Sequence, residues 1–140
     1  MGSKYFSALD LSSGYYNVEI KENDREKTAF ATRKGQYEFN HMPFGLCGAP
    51  ASFQRLVNLI LRDENFYKCL IYLDNILIFG RSIEEHNERL RTVLEKIRQS
   101  KVKLSPSKCV FLKTSVKYLG HIISSEGVKT DPEKISAVKN

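Results

Sequence analysis

Cysteine is scarce in this 140-residue sequence, long apolar runs are missing and no targeting segment is recognisable. Each shortage removes a class of protein. The three cysteines, Cys47, Cys69 and Cys109, are odd in number and show no CxxC spacing, and no histidine lies within metal-ligand reach of them along the chain. That argues against a zinc site and against a disulfide framework. No apolar stretch approaches the roughly 18 residues of a membrane-spanning helix, so no membrane association is expected. A signal-peptide pattern and an Asn-x-Ser/Thr sequon are both absent, and an intracellular, reducing setting is the expectation. Met1-Gly2-Ser3 reads as a cloning remnant, and Gly2 lacks the Ser or Thr at position 6 that favours myristoylation. Internal repeats and low-complexity segments are missing too. So are a P-loop, an HExxH, a GxSxG and any nucleophile paired with His41, His86 or His121.

What is present suits one packed domain. Hydrophobic residues make up 41% of the chain, including seven Tyr and eight Phe, which is enough to fill a single core. The net charge of +6 is local. Residues 1 to 80 hold nine basic and nine acidic side chains, whereas residues 81 to 140 hold thirteen against seven. Lys96 to Lys117 contains seven basic residues (Lys96, Arg98, Lys101, Lys103, Lys108, Lys113, Lys117) and no acid. Such a run permits a polyanionic partner, and a solvated face near a helix end accounts for it equally well.

Hydrophobic periodicity divides the chain into alternating strands and helices. Tyr5 to Leu11 reads as a strand, Ser12-Ser13-Gly14 as a turn or helical start, and Lys21 to Glu26 as a polar turn after YYNVEI. Thr28 to Thr32 and Gln36 to Phe39 form a hairpin across Arg33-Lys34-Gly35, with Gly35 supplying a positive φ. The Pro- and Gly-dense Met42 to Pro50 is irregular. Phe53, Leu56, Val57, Ile60 and Leu61 then mark one buried stripe of a helix ending near Arg62-Asp63. Cys69 to Phe79 predicts a tight hairpin with Asp74-Asn75 at its tip. Ser82-x-x-Glu85 is a capping box opening a helix whose face continues through His86, Leu90, Val93, Leu94 and Ile97, and Ser105-Pro106 ends it. Cys109 to Leu112 and Val116 to Ile123 give two more strands, and Thr130-Asp131-Pro132-Glu133 begins a further helix. Mixed strands and helices of this kind predict an α+β domain.

Two isolated carboxylates, Asp10 and Asp74, each stand at the end of an apolar strand, where a charge is costly unless hydrated, paired or metal-bound. Either alone reads as a turn or cap residue. Brought side by side, they would suit a hard divalent cation, as in Mg²⁺-assisted phosphoryl transfer.

The ordered series LDLSSGYY, KTAF, MPFGLCGAPASFQ, YLDN, KLSPSKC and YLGHIIS resembles the reverse transcriptases of gypsy-type long-terminal-repeat retrotransposons, from Lys4 to about Lys139. The resemblance implies a polymerase palm with part of the fingers, spanning residues 1 to 140, with upstream fingers, thumb and RNase H domain outside the chain. It implies DNA synthesis on a template-primer of RNA or DNA from deoxynucleoside triphosphates, in the cytoplasm, a virus-like particle or the nucleus. Asp10 and Asp74 match the catalytic carboxylates that bind two Mg²⁺ ions, with Mn²⁺ as a substitute, and the Leu11 carbonyl matches a further metal ligand. Tyr15 matches the ring that excludes a ribose 2′-hydroxyl. Phe44, Gly45 and Gly48 lie in the matching nucleotide and template loop, followed by Gln54. Leu119-Gly120 matches the primer grip, and Lys108 matches the lysine that protonates pyrophosphate, with an alignment that can slip by one residue.

One departure stands out. The family usually has two adjacent aspartates at the hairpin tip, and Asn75 occupies the second position, keeping the shape but losing a charge beside the cations. Impaired catalysis is the expectation, strengthened by the missing fingers and thumb. The alternative is a domesticated, non-catalytic palm that binds nucleic acid or a host protein, and an isolated palm is also expected to self-associate through the surfaces it exposes.

Overall fold

The computed structural model describes residues 2–11, 14–65 and 67–139. Ser12 and Ser13, read from sequence as a turn, lie outside the described residues. Four antiparallel strands form the central sheet: β1 (Tyr5–Asp10), β4 (Cys69–Tyr72), β5 (Asn75–Gly80) and β6 (Val110–Lys113), in the order β4-β5-β1-β6. A small hairpin, β2 (Phe30–Thr32) with β3 (Gly35–Tyr37), stands apart from it, and β7 (Ser115–Tyr118), β8 (His121–Ser124) and β9 (Gly127–Thr130) form a third sheet. The helices are α1 (Glu22–Arg25), α2 (Ala49–Ile60), α3 (Ile83–Ser100) and α4 (Pro132–Lys139). Strands and helices so mixed make an α+β fold, as the sequence predicts. Among the described residues, no helix is long and apolar enough to cross a membrane.

Strand alternation decides which layer meets which. Leu9 and Leu11, Ile76 and Ile78, and Cys69 face α2 and α3, where they pack with Phe53, Val57, Leu61, Val93 and Ile97. The stripe expected on α2 is therefore the buried one, and full burial of a side chain such as Phe53 or Leu61 contributes roughly 1.5–3 kcal/mol. The opposite face of the sheet carries Phe6 and Leu77, covered by Val116 and Tyr118 of β7 and flanked by Leu70, Phe79 and Ile123. That cover leaves the end of the same face holding Asp10 and Asn75.

Three buried polar side chains, Ser7, His86 and Glu64, tie neighbouring elements together. Ser7 Oγ lies 2.8 Å from His86 Nε2, and His86 Nδ1 lies 3.1 Å from Asn87 Oδ1. Because an amide oxygen only accepts, Nδ1 carries the proton, Ser7 donates to Nε2, and Ser7 in turn accepts the Leu112 N–H at 3.0 Å. Glu64 beyond α2 is paired with Lys68 at 2.8 Å and with Lys96 of α3 at 3.1 Å, and these ammonium groups hold its carboxyl below the usual range.

The structure corrects several sequence expectations. The two-residue loop of the β4–β5 hairpin is Leu73-Asp74, one residue earlier than Asp74-Asn75, and Asn75 already pairs with Tyr72. Leu73 adopts a φ of +51°, held by its N–H donating to Gln54 Oε1 on α2. Val116 to Ile123 is two strands, folded back at Leu119 (φ +50°) and Gly120 (φ +76°). The helix expected to run to Ser105-Pro106 ends at Ser100, where Lys101 takes a left-handed conformation with a φ of +63°. The polar turn at Lys21 to Glu26 is the short helix α1 followed by a 3₁₀ turn over Glu26–Thr28. The capping box holds on one side, with Glu85 N–H donating to Ser82 Oγ at 3.1 Å, while the Glu85 carboxylate takes the Arg81 N–H at 2.6 Å.

Candidate active site

Asp10 is the last residue of β1, directly across the ladder from Asn75, the first of β5. Its backbone is fixed from two sides. The N–H donates to Cys109 Sγ at 3.4 Å, and the carbonyl accepts the Ser105 N–H at 2.8 Å. Leu11 N–H donates to the Asp74 carbonyl at 2.8 Å, so the two carboxylate-bearing residues are joined through a single backbone hydrogen bond. Asn75 Nδ2 donates to Asp74 Oδ1 at 3.1 Å. The structure thus gathers Asp10, Asp74 and Asn75, and it adds Ser105 and Cys109 of KLSPSKC as supports of the Asp10 backbone.

Electrostatics record the crowding. Burial, and secondly the charge of Asp74, push the Asp10 carboxyl above its ordinary value of 3.8, against a weaker opposing pull from Lys108. A raised folded-state pKa means that the folded chain holds the proton more tightly. The contribution of this carboxyl to stability is then fully present at low pH and is lost as pH rises through the raised value. Asp10→Asn is therefore expected to raise the melting temperature by a few degrees at pH 7, with the gain disappearing as pH falls toward 3.8. Thermal denaturation across that range checks it, and a variant less stable than the parent at pH 7 would refute it.

The donor set fits a hard divalent cation. Asp10 at the end of β1 and Asp74 in the adjoining loop repel one another, and a cation between them would relieve that repulsion. Among the described residues no cluster of three or more His, Cys, Asp or Glu side chains gathers, which leaves two carboxylates as the protein's charged contribution.

Tyr15 packs edge-on against Phe44 at 5.1 Å and Phe53 at 5.6 Å between ring centroids, which leaves Phe44 64% exposed as the outer wall. Gly45 takes a φ of +85° and has open space where a Cβ would stand, so its backbone is free to be approached. Gln54 holds the Leu73 N–H through Oε1 and donates to Asn58 Oδ1 at 3.0 Å, so within the chain it supports the carboxylate-bearing tip. Lys108 is exposed and close enough to act on the Asp10 charge. Leu119 and Gly120 form the tip of the β7–β8 hairpin, whose preceding residue, Tyr118, donates its hydroxyl to the Asn75 carbonyl at 3.2 Å. The basic run is partly neutralised: Lys96 pairs with Glu64, Arg98 with Glu95, and Lys117 with Asp131 and Glu133.

Comparison with known proteins adds to this geometry. A family model described as reverse transcriptase (RNA-dependent DNA polymerase) matches residues 1–123. The retrovirus-related Pol polyprotein from transposon 297 of Drosophila melanogaster is 44% identical over 135 residues, covering 96% of this chain and 13% of that protein. The corresponding polyprotein from transposon gypsy of the same organism is 41% identical over 137 residues, covering 98% and 13%. A solved foamy viral protease-reverse transcriptase in complex with RNA/DNA hybrid superposes with a TM-score of 0.89 at 26% identity, covering 100% of this chain and 19% of that one. A second structure of the foamy viral protein, lettered dRH and in complex with double-stranded DNA, gives 0.91 at 26% identity, covering 100% and 24%.

Proposed function

Because the chain belongs to the reverse transcriptase (RNA-dependent DNA polymerase) family, we propose that it supplies the nucleotidyl-transfer palm of an RNA-directed DNA polymerase. The observation that carries this reading is the pair Asp10 and Asp74, joined through the backbone and placed at the open end of the central sheet. The chain spans 13% of the length of the curated relatives described above. Asp10, Asp74 and the Leu11 carbonyl would hold divalent cations, Mg²⁺ above all. Bound there, such ions would lower the pKa of a primer 3′-hydroxyl and offset triphosphate charge.

The chain's own residues do the positioning. Tyr15, backed by Phe53, would meet the nucleotide sugar, so that a 2′-hydroxyl would collide with its ring. Phe44 and Gly45 offer an exposed ring and an open backbone to the incoming base and template. Lys108, close enough to act on the Asp10 charge, would deliver a proton to pyrophosphate, and Leu119-Gly120 would meet the primer end. Template-primer binding is supported by the complexes named for the foamy viral relatives. Within the basic run, Lys101, Lys103, Lys108 and Lys113 form no ion pair among the described residues and are available for phosphates.

The test is primer extension on a homopolymer RNA template with Mg²⁺ or Mn²⁺, with the chain joined to the flanking segments of the transposon 297 polyprotein. Asp74→Asn is expected to cut the rate at least about a thousandfold, since it removes a metal-binding charge. Equal rates for the parent and Asp74→Asn would sink the reading.

A second reading, a non-catalytic palm that serves as a nucleic-acid or protein interaction module, draws on two observations. Asn75 holds Asp74 with an amide where the family usually places a carboxylate. The edge strand β6 exposes Val110, Phe111 and Leu112 together. An inactive Asn75→Asp chain in the same extension assay would favour it.

A further inference from the structure

Tyr118 is buried, with its ring packed against Phe6 and Leu77 on the face of the central sheet. Ring packing accounts for the aromatic body but leaves the hydroxyl to be explained. That hydroxyl lies 3.3 Å from the Leu70 carbonyl of β4 and 3.2 Å from the Asn75 carbonyl of β5, so one proton is shared between both strands of the hairpin that carries Asp74. Burial pushes the phenol well above its usual pKa, and the group therefore stays a donor wherever the chain is folded.

The other side of the tyrosine is equally constrained. Tyr118 is the last residue before the Leu119-Gly120 turn, in which both positions have positive φ. The Gly120 carbonyl accepts the Asp131 N–H at 3.2 Å, and a Cβ on Gly120 would stand 2.5 Å from Lys134 Nζ, so the turn is backed by the start of α4. The turn and the carboxylate-bearing tip are thus separate hairpins from separate sheets, and beyond apolar packing the Tyr118 hydroxyl bridges them. On the far side of the tip, the Asp74 carbonyl is held by Leu11 N–H.

We propose that Tyr118 is a positioning residue that locks the Leu119-Gly120 turn to the Leu73-Asp74 loop, so that a displacement of the turn is transmitted to the Asp74 carboxylate. The proposal deepens the polymerase reading and rests on it for its consequence: the turn that would meet the primer end and the carboxylate that would hold a cation move as one unit.

The 140-residue chain itself suffices for the test. Tyr118→Phe keeps the ring and removes the hydroxyl. Val116→Ala, in the same apolar cluster, loses packing without touching the bridge and serves as the control. Two quantities are read by NMR: hydrogen exchange of the Leu11 amide, which reports the bond to Asp74, and Mn²⁺ affinity from broadening of the Asp10 and Asp74 signals. Tyr118→Phe is expected to speed Leu11 exchange about tenfold beyond any change in global stability, and to weaken Mn²⁺ about three- to tenfold, as fits the loss of one shared hydrogen bond. Val116→Ala should change neither once its own stability loss is subtracted. Equal effects of the two variants at matched stability would overturn the proposal, as would a Tyr118→Phe chain that fails to fold, because the hydroxyl would then serve stability at large. If the parent chain shows no Mn²⁺ binding that Asp10→Asn removes, the polymerase reading fails instead, and the exchange comparison still decides whether the hydroxyl couples the two hairpins.

Discussion

Asn75→Asp is expected to raise the rate of primer extension about ten- to hundredfold, roughly 1.4–2.8 kcal/mol of transition-state stabilisation, when the chain is joined to the flanking segments of a relative. The ladder register gives the reason. Asn75 stands directly across from Asp10 and donates its amide to Asp74 Oδ1 at 3.1 Å, so it touches the charged corner from the strand side. Aspartate has nearly the same shape but adds a full negative charge and accepts where the amide donates. Without cations, three carboxylates would crowd the corner, push Asp10 further above its usual pKa and lower the melting temperature by a few degrees. With Mg²⁺ present the added charge becomes favourable, and much of the lost stability should return in proportion to ion concentration over its dissociation constant. Single-turnover extension and melting with and without Mg²⁺ therefore give opposite signs for one substitution. A slower rate together with intact Mg²⁺ binding would mean that the Asn75 amide itself is what orients Asp74.

The carboxylates are legible in the sequence because each is a lone charge ending an apolar strand, and desolvation makes such a charge conspicuous. Their juxtaposition is not legible from the residues alone, since pairing of β1 with β5 joins positions far apart in the chain. The one-residue shift of the tip has a similar origin. Local turn rules favour Asp-Asn over Leu-Asp, because leucine at positive φ costs on the order of 1 kcal/mol, and only a partner nineteen residues away, Gln54, makes Leu73 the better choice. Val116 to Ile123 reads as one strand because Leu119 looks like any β-compatible residue, with Gly120 the sole local sign of a fold-back. The basic run looks unpaired for the same reason: Glu64, Asp131 and Glu133, which neutralise Lys96 and Lys117, lie outside it in sequence. Helix stripes and the Ser82 N-cap depend on neighbours within a turn or two, and they are legible for that reason.

Gly80→Ala is expected to destabilise the chain by about 3 kcal/mol and to lower the melting temperature by roughly 10 °C, the largest stability loss for so small a change. Gly80 ends β5 opposite Tyr5, and its carbonyl accepts the Lys4 N–H at 2.9 Å. A Cβ there would stand 2.6 Å from His86 N, 2.8 Å from its Cα and 2.9 Å from its Cβ. These atoms belong to the first turn of α3 and have little freedom to retreat. His86 N–H donates to the Ser82 carbonyl at 3.0 Å, and the imidazole is held by buried Ser7 at 2.8 Å. Relief therefore requires the helix to lift from the sheet, stretching the Ser7 bond and loosening the contacts of Val93 and Ile97. Truncating His86 should not rescue the variant, because the closest contacts are to backbone, and Gly80→Ala with His86→Ala should be at least as unstable as either alone. The carboxylate corner sits at the other end of β5, so Mn²⁺ affinity per folded molecule should stay unchanged while the melting temperature falls. Urea denaturation of the single and double variants measures this directly, and a loss below about 1 kcal/mol would mean that the first turn of α3 yields more easily than its hydrogen bonds imply.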